Sequence, residues 1–204
     1  MFTNERVKLA VLVSGKGSNL KAIIAATEKK GPPAKGFPAQ VQVVISDKQH
    51  SGGLEMARGK NIPAIFIDPK TFESREAYDQ MLMATIKEYN IDLIVLAGFM
   101  RVLSPMFVKA FPKQILNIHP SLLPQFPGLH AVKDALLAKV KTTGCTVHYV
   151  DEGIDTGPVI MQRMVSVLPE DTEDSLHARI QQEEHILYPE AIEFILCKHL
   201  SRKK

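Results

Sequence analysis

The chain has 204 residues, 45% of them hydrophobic, which allows one single-core domain of ordinary size and argues against disorder. A formal charge of +3, from 25 basic and 22 acidic residues spread along the chain, and only 6% aromatic residues argue against a nucleic-acid partner, while leaving room for a mildly positive cleft that takes an anionic small molecule. No apolar run approaches the length of a bilayer span, no signal-like segment opens the chain, and Cys145 and Cys197 lack CxxC spacing and read as small core residues, so the expectation is a cytoplasmic protein away from membranes.

In chain order, apolar β-branched runs at Val7–Ser14, Val41–Ser46, Ala64–Asp68, Asp92–Gly98 and Ile115–His119 predict strands buried on both faces, the pattern of a parallel sheet. Helical patterns at Ser18–Lys29, Gly52–Lys60, Ser74–Asn90 and Pro105–Ala110 alternate with them, the third presenting Ala77, Met81, Ala84 and Ile86 near helical spacing. Gly31–Gly36, rich in Pro and Gly, reads as a loop inside the first βαβ unit. Beyond residue 120 the rhythm changes. A helix over Ala131–Val140 precedes two strands, Cys145–Val150 and Val159–Val167, that form an antiparallel hairpin. A long helix from about Thr172 to His199 follows, with Leu176, Ile180, Leu187, Ala191 and Ile195 on one face and a kink at Pro189, before a basic tail at Ser201–Lys204. The predicted fold class is α/β: one domain over residues 1–204, an open, mostly parallel twisted sheet with helices on both faces and antiparallel strands at the carboxyl-terminal end.

Chemistry concentrates at Asn117-Ile118-His119-Pro120-Ser121-Leu122-Leu123-Pro124. Side chains alternate along a strand, so Asn117 and His119 point one way and Leu116 and Ile118 the other. Pro120 cannot continue a central strand, which puts His119 at the strand's carboxyl end, where open α/β sheets hold their ligands. A lone histidine there is ordinarily a packing residue; the neighbouring asparagine and the turn that follows favour a site.

Ser14-Gly15-Lys16-Gly17-Ser18-Asn19-Leu20 joins the first strand to the first helix, where backbone donors and the helix dipole favour a phosphate. It completes neither a dinucleotide fingerprint nor a P-loop, which disfavours NAD and nucleoside triphosphates. A tight turn capped by Ser or Asn is the plain alternative to a site for a phosphate monoester.

Asp155 stands between Gly153 and Gly157, where a carboxylate projecting from a bent backbone toward the sheet's carboxyl edge can reach His119 and favour its charged form. Turn formation alone also explains an Asp in that place. The histidines lack HExxH or close paired spacing, so no metal is expected, and neither Ser14 nor Ser121 sits in GxSxG. Asn, His and Asp without a nucleophile point to direct transfer: the His donates a proton, the Asn bonds a developing oxyanion, and the substrate supplies the attacking atom.

With these residues assembled, the chain resembles the phosphoribosylglycinamide formyltransferases. The resemblance runs nearly end to end through SGKGSNL, SREAYD, VLAGFMRVLSP, LNIHPSLLP, PGLHA, DEGIDTGPVI and QQEEHILYP. It implies transfer of a formyl group from 10-formyltetrahydrofolate to the amine of glycinamide ribonucleotide in purine synthesis, with Asn117, His119 and Asp155 catalytic and His148 supporting Asp155. It further implies that Gly17, Ser18 and Asn19 bind the ribonucleotide phosphate and that Glu184, within Gln181, Gln182, Glu183 and Glu184, contacts its sugar or glycinamide part. The folate would lie along Met100, Arg101, Val102 and Leu103, with Arg75 nearby and the loop Asp151, Glu152, Gly153, Ile154 and Asp155 over the pterin. On this view residues up to about 110 form a phosphate-binding half and the remainder a catalytic, folate-binding half; the protein is a monomer or weak homodimer whose partners are small molecules. Gln125-Phe126 and Val132-Lys133 depart from what relatives often carry and bear on affinity or helix packing rather than chemistry.

Overall fold

Seven strands form one sheet in the order β3-β2-β1-β4-β5-β6-β7. The chain lays them down as β1 (Val7–Val13), α1 (Ser18–Thr27), β2 (Ala39–Ser46), α2 (Gly52–Gly59), β3 (Ala64–Phe66), α3 (Arg75–Glu88), β4 (Leu93–Leu96), α4 (Pro105–Ala110), β5 (Ile115–His119), α5 (Ala131–Leu137), β6 (Thr142–Tyr149), β7 (Val159–Ser166) and α6 (Glu173–Ser201). The computed structural model describes residues 6–28 and 37–201; the Gly31–Gly36 loop expected from sequence and residues 202–204 of the expected tail lie outside the described residues. Strands β1 to β5 are parallel, β6 is antiparallel to β5, and β7 is antiparallel to β6. The predicted doubly wound sheet with a terminal antiparallel hairpin is therefore the observed one. Among the described residues, no helix is long and apolar enough to cross a membrane.

Alternation along β1 explains why helices cover both faces. Leu9, Val11 and Val13 join a core with Leu20 and Ile23 of α1, Leu54 of α2 and Leu176, Ile180 and Leu187 of α6. Ala10 and Leu12 join the opposite core with Tyr78, Leu82 and Ile86 of α3 and Phe107 of α4. Each Leu, Ile or Val so buried contributes about 1.5–3 kcal/mol relative to exposure. Ser51, Ser74 and Ser104 begin α2, α3 and α4 by accepting from Leu54, Ala77 and Phe107 amides.

Several details differ from the sequence reading for local reasons. The buried stripe of α3 is Tyr78, Leu82 and Ile86, while Met81 is exposed. Strand β3 ends at Phe66 because Asp68 opens a 3₁₀ turn at Pro69–Thr71 and accepts from the Lys70 amide. Strand β4 stops short of Gly98, whose φ of 74° turns the chain. Strand β6 starts at Thr142, earlier than expected, because Gly144 gives the Arg163 carbonyl of β7 the space a Cβ would occupy. Helix α5 ends at Leu137 and is followed by Lys139 at φ 51°. Cys145 is buried as expected, and burial pushes its thiol up to about 12, but Cys197 is exposed on α6.

Helix α6 continues through Pro189, anchored by Tyr188, which is wholly buried with its hydroxyl 3.0 Å from the carbonyls of both Leu96 and Leu116. It thereby ties α6 to β4 and β5. Tyr188→Phe should lower stability by about 1–2 kcal/mol, since two buried carbonyls lose their donor without a change of shape; urea unfolding measures this, and an unchanged midpoint would mean the hydroxyl holds nothing.

Candidate active site

Strand β5 presents Asn117 and His119 on one face, and its antiparallel register sets His148 of β6 opposite Asn117. The Nδ2 of Asn117 lies 3.2 Å from the Nε2 of His148, and the Nδ1 of His148 faces the Tyr149 carbonyl at 2.9 Å. That carbonyl is an acceptor, so Nδ1 of His148 carries a proton, and Nε2 is left facing the site between Asn117 and Asp155.

The same register fixes where the acidic loop starts. Strand β6 ends with Tyr149 opposite Leu116, and the Val150 amide bonds the Ile115 carbonyl. The acidic loop thus leaves from the amino end of β5 and folds back along the strand to bring the Asp155 carboxylate to His119, the reach expected from the sequence. Asp155 sits at φ 55°, the left-handed region that L side chains rarely adopt.

Four separate groups converge on its carboxylate. Gly128 N–H donates to Oδ2 at 2.8 Å, His119 Nδ1 lies 3.3 Å from Oδ2, Asn117 Nδ2 donates to Oδ1 at 3.4 Å, and His148 Nε2 is 3.5 Å from Oδ1. Burial pushes the carboxyl up, but the His148 and Gly128 hydrogen bonds and the charges of His119 and His148 outweigh it and bring Asp155 down to about 2. The other ring nitrogen of His119, Nε2, faces the Phe126 carbonyl at 2.8 Å. With an oxygen acceptor at each nitrogen, only the doubly protonated imidazolium satisfies both contacts.

The sequence reading missed Phe126 and Gly128, which act through backbone groups. Both have positive φ, 53° and 87°, and the Pro127-Gly128 turn was their one sequence signal. Thr146 of β6 holds the preceding segment by donating to the Ser121 carbonyl and accepting from the Leu123 amide, and Gln162 of β7 donates to the Leu123 carbonyl.

At the end of β1, α1 begins on Gly17 at φ 79° with no side-chain cap, so the Ser or Asn cap that was the alternative to a phosphate site is absent and the first-turn amides are left for another acceptor. A Cβ on Gly17 would stand 2.9 Å from Gly53 Cα, and one on Gly52 would stand 2.8 Å from the Lys16 carbonyl oxygen. The Gly52-Gly53 pair of α2, unremarked in the sequence, therefore packs against the loop. Asn19 donates to Glu184 of α6 at 2.9 Å, and both are buried. Burial pushes the Glu184 carboxyl up, opposed by the Asn19 hydrogen bond and the charges of His177 and His119. Of its neighbours, Glu183 pairs with Arg163 of β7 at 3.1 Å, Gln181 is half-buried and Gln182 exposed.

The Gly loop also meets the segment after β4, because Ser14 Oγ accepts from the Met100 amide at 2.9 Å. Met100 is 63% and Val102 59% exposed, which suits an apolar ligand, while Leu103 is buried and the Arg101 guanidinium lies over the Tyr78 ring. Ile154 is 61% exposed on the acidic loop. Arg75 opens α3 as an exposed side chain 3.5 Å from Glu76.

Because Asp155 falls from 3.8 to about 2, its ionised form contributes stability that is fully present above about pH 4 and is lost as pH falls through about 2. Asp155→Asn should cost roughly 2 kcal/mol at neutral pH, and the difference from wild type should shrink toward pH 2. Urea unfolding across that range checks this; a gap independent of pH would mean that the neighbours do not favour the charge.

A formyl transferase family model matches residues 7–192. Over 196 residues the chain is 50% identical to the trifunctional purine biosynthetic protein adenosine-3 of Drosophila melanogaster, which covers 96% of this chain but only 14% of that protein's length. It is 46% identical over 183 residues to the phosphoribosylglycinamide formyltransferase of Escherichia coli (strain K12), covering 90% of this chain and 84% of the other. The crystal structure of glycinamide ribonucleotide transformylase 1 from Symbiobacterium toebii superimposes with a TM-score of 0.88 at 46% identity, over 94% of this chain and 88% of that one. Matched from β1 into α6 in sequence and superimposed on a solved relative in fold, the chain belongs to the formyl transferase family.

Proposed function

We propose that this protein transfers the formyl group of 10-formyltetrahydrofolate to the amine of 5′-phosphoribosylglycinamide, giving formylglycinamide ribonucleotide and tetrahydrofolate in purine synthesis. The observation that carries the reading is the His119 imidazole at the end of β5, with an acceptor at each nitrogen and Asn117 beside it. The names of the relatives at 46% identity or more support the same chemistry.

In this reading the amine attacks the formyl carbon, and the negative charge that gathers on the formyl oxygen is met by the Asn117 amide and the His119 imidazolium. Collapse breaks the bond to N10 of the folate, and the proton shed by the amine goes to that nitrogen. Asp155, ionised down to about pH 2, sets a negative charge 3.3 Å from His119 Nδ1 and is the adjacent base for the relay. A single oxyanion donor is worth about 10²–10³ in rate, and holding two substrates in line supplies effective molarities of roughly 10⁵ M or more.

Binding follows the same division. The uncapped start of α1 at Gly17, Ser18 and Asn19 takes the phosphate, and Glu184, in the Gln181–Glu184 turn, meets the sugar or glycinamide part. The exposed Met100 and Val102, with Arg101, Leu103, Arg75 and the Asp151–Asp155 loop, receive the folate; apolar side chains beside charged ones suit a flat heterocycle with an acidic tail. The amino-terminal half to about residue 110 then carries the phosphate site and the rest the reacting centre. Small molecules in the cytoplasm are its partners, and it acts as a monomer or weak homodimer.

Tetrahydrofolate release from 10-formyltetrahydrofolate should require the ribonucleotide; release into water without it would make the protein a hydrolase instead. His119→Ala and Asn117→Ala should each lower kcat by about 10²-fold or more with smaller changes in KM. Calorimetry should find the dephosphorylated nucleoside at least about tenfold weaker than the ribonucleotide, and equal affinities would rule out the phosphate site at α1.

A further inference from the structure

The loop that carries Asp155 holds a set of hydrogen bonds that the reaction does not use. Oδ1 of Asp151 accepts from the Gly153 amide at 3.1 Å and from the Thr156 hydroxyl at 2.7 Å. Thr156 directly follows Asp155, so this bond closes the loop into a ring across its base, with the left-handed Asp155 just inside the closure. Gly153 is the residue that lets the ring close, because a Cβ there would overlap the Thr156 hydroxyl. Gly157 fixes the exit, since its Cβ would overlap the Tyr149 carbonyl at the end of β6. Lys109 of α4 adds an outer tether to Glu152 at 3.4 Å, but both side chains are more than half exposed and the pair is weak.

The left-handed backbone at Asp155 is unfavourable for an L residue and persists only where its surroundings over-determine it. The carboxylate contacts restrain the tip of the side chain. They do not restrain the backbone, which has to return along β5 and then turn into β7. We infer that Thr156 and Asp151 are positioning residues: the bond between them closes the loop behind Asp155 and fixes its carboxylate against His119 and Asn117. This inference rests on the reading of Asp155 as the charge partner of His119 during formyl transfer. The Thr156 hydroxyl can make this contact with any acceptor at position 151, whereas a side chain without a donor at position 156 cannot.

Thr156→Ala and Thr156→Ser in the full chain test it, with steady-state kinetics on both substrates and a carbon-13 NMR titration of the Asp155 carboxyl. Thr156→Ala should lower kcat about tenfold, with the KM for ribonucleotide within about twofold, because a misaligned reacting group loses rate rather than ground-state binding. Its Asp155 carboxyl should titrate above the wild-type value of about 2, toward 3.8. Thr156→Ser, which keeps the hydroxyl, should retain both wild-type properties. Gly153→Ala should reproduce the Thr156→Ala defects, and adding it to Thr156→Ala should cost far less than it does alone, since the obstructed hydroxyl is already gone. Wild-type kcat and titration in Thr156→Ala, or equal losses in the Ala and Ser variants, would overturn the inference. Absence of ribonucleotide-dependent release in the wild type would instead overturn the formyl-transfer reading, and the carboxyl titration would then decide the lock by itself.

Discussion

The negative charge on Asp155 is the interaction on which the rest of the site depends. A carboxylate this close to the interior loses much of its hydration, and it remains ionised only because a backbone amide, two imidazoles and a carboxamide are aimed at it. Those donors come from β5, from β6 and from the loop after Pro124. Each of them in turn is oriented by the charge. Without it, His119 keeps one acceptor at Phe126 and loses the other, and the Gly128 amide loses the partner that holds the turn against the acidic loop.

The second buried carboxylate has the opposite character. Glu184 accepts from the Asn19 amide, and burial pushes its carboxyl up where the neighbours of Asp155 pull that group down. Pairs of carboxyls pushed apart by their surroundings divide labour, one staying charged and the other awaiting hydrogen-bonding partners. Under the formyl-transfer reading, the permanently charged one lies where a proton is managed. The one that resists charge lies at the start of α1, where a ribonucleotide brings hydroxyls and an amine.

Strand positions were legible wherever period and length agreed. Alternation in Val7–Val13 foretold two cores, and Pro120 foretold the end of β5, because both act within a few residues. The Asn117–His119 pair was legible for the same reason. What sequence alone did not disclose depends on backbone groups or on distant partners. Phe126 contributes a carbonyl and Gly128 an amide, neither of which has a side-chain signature. Gly52 and Gly53 matter because Gly17 packs on them, a contact set by the β1–β2 crossover rather than by either segment. The α3 stripe was displaced from Met81 to Leu82 because several registers of that amphipathic pattern are nearly equivalent, and the sheet selects the one that buries Tyr78.

The switch from parallel to antiparallel pairing at β5 explains why a strained loop is needed at all. Had β6 run parallel to β5, its carboxyl end would have delivered the following loop straight to His119, as parallel sheets do. Running antiparallel, it delivers the chain opposite Leu116 instead, and the loop has to regain about three residues of strand, roughly 10 Å, to reach His119. A short loop can fold back over that distance only with a sharp reversal, which is what the left-handed Asp155 and the glycines on either side of it provide. The antiparallel pairing also sets His148 beside Asn117, a neighbour that a continued parallel sheet would not have placed there. The topology that makes Asp155 difficult to deliver thus supplies one of the groups that hold it once it arrives.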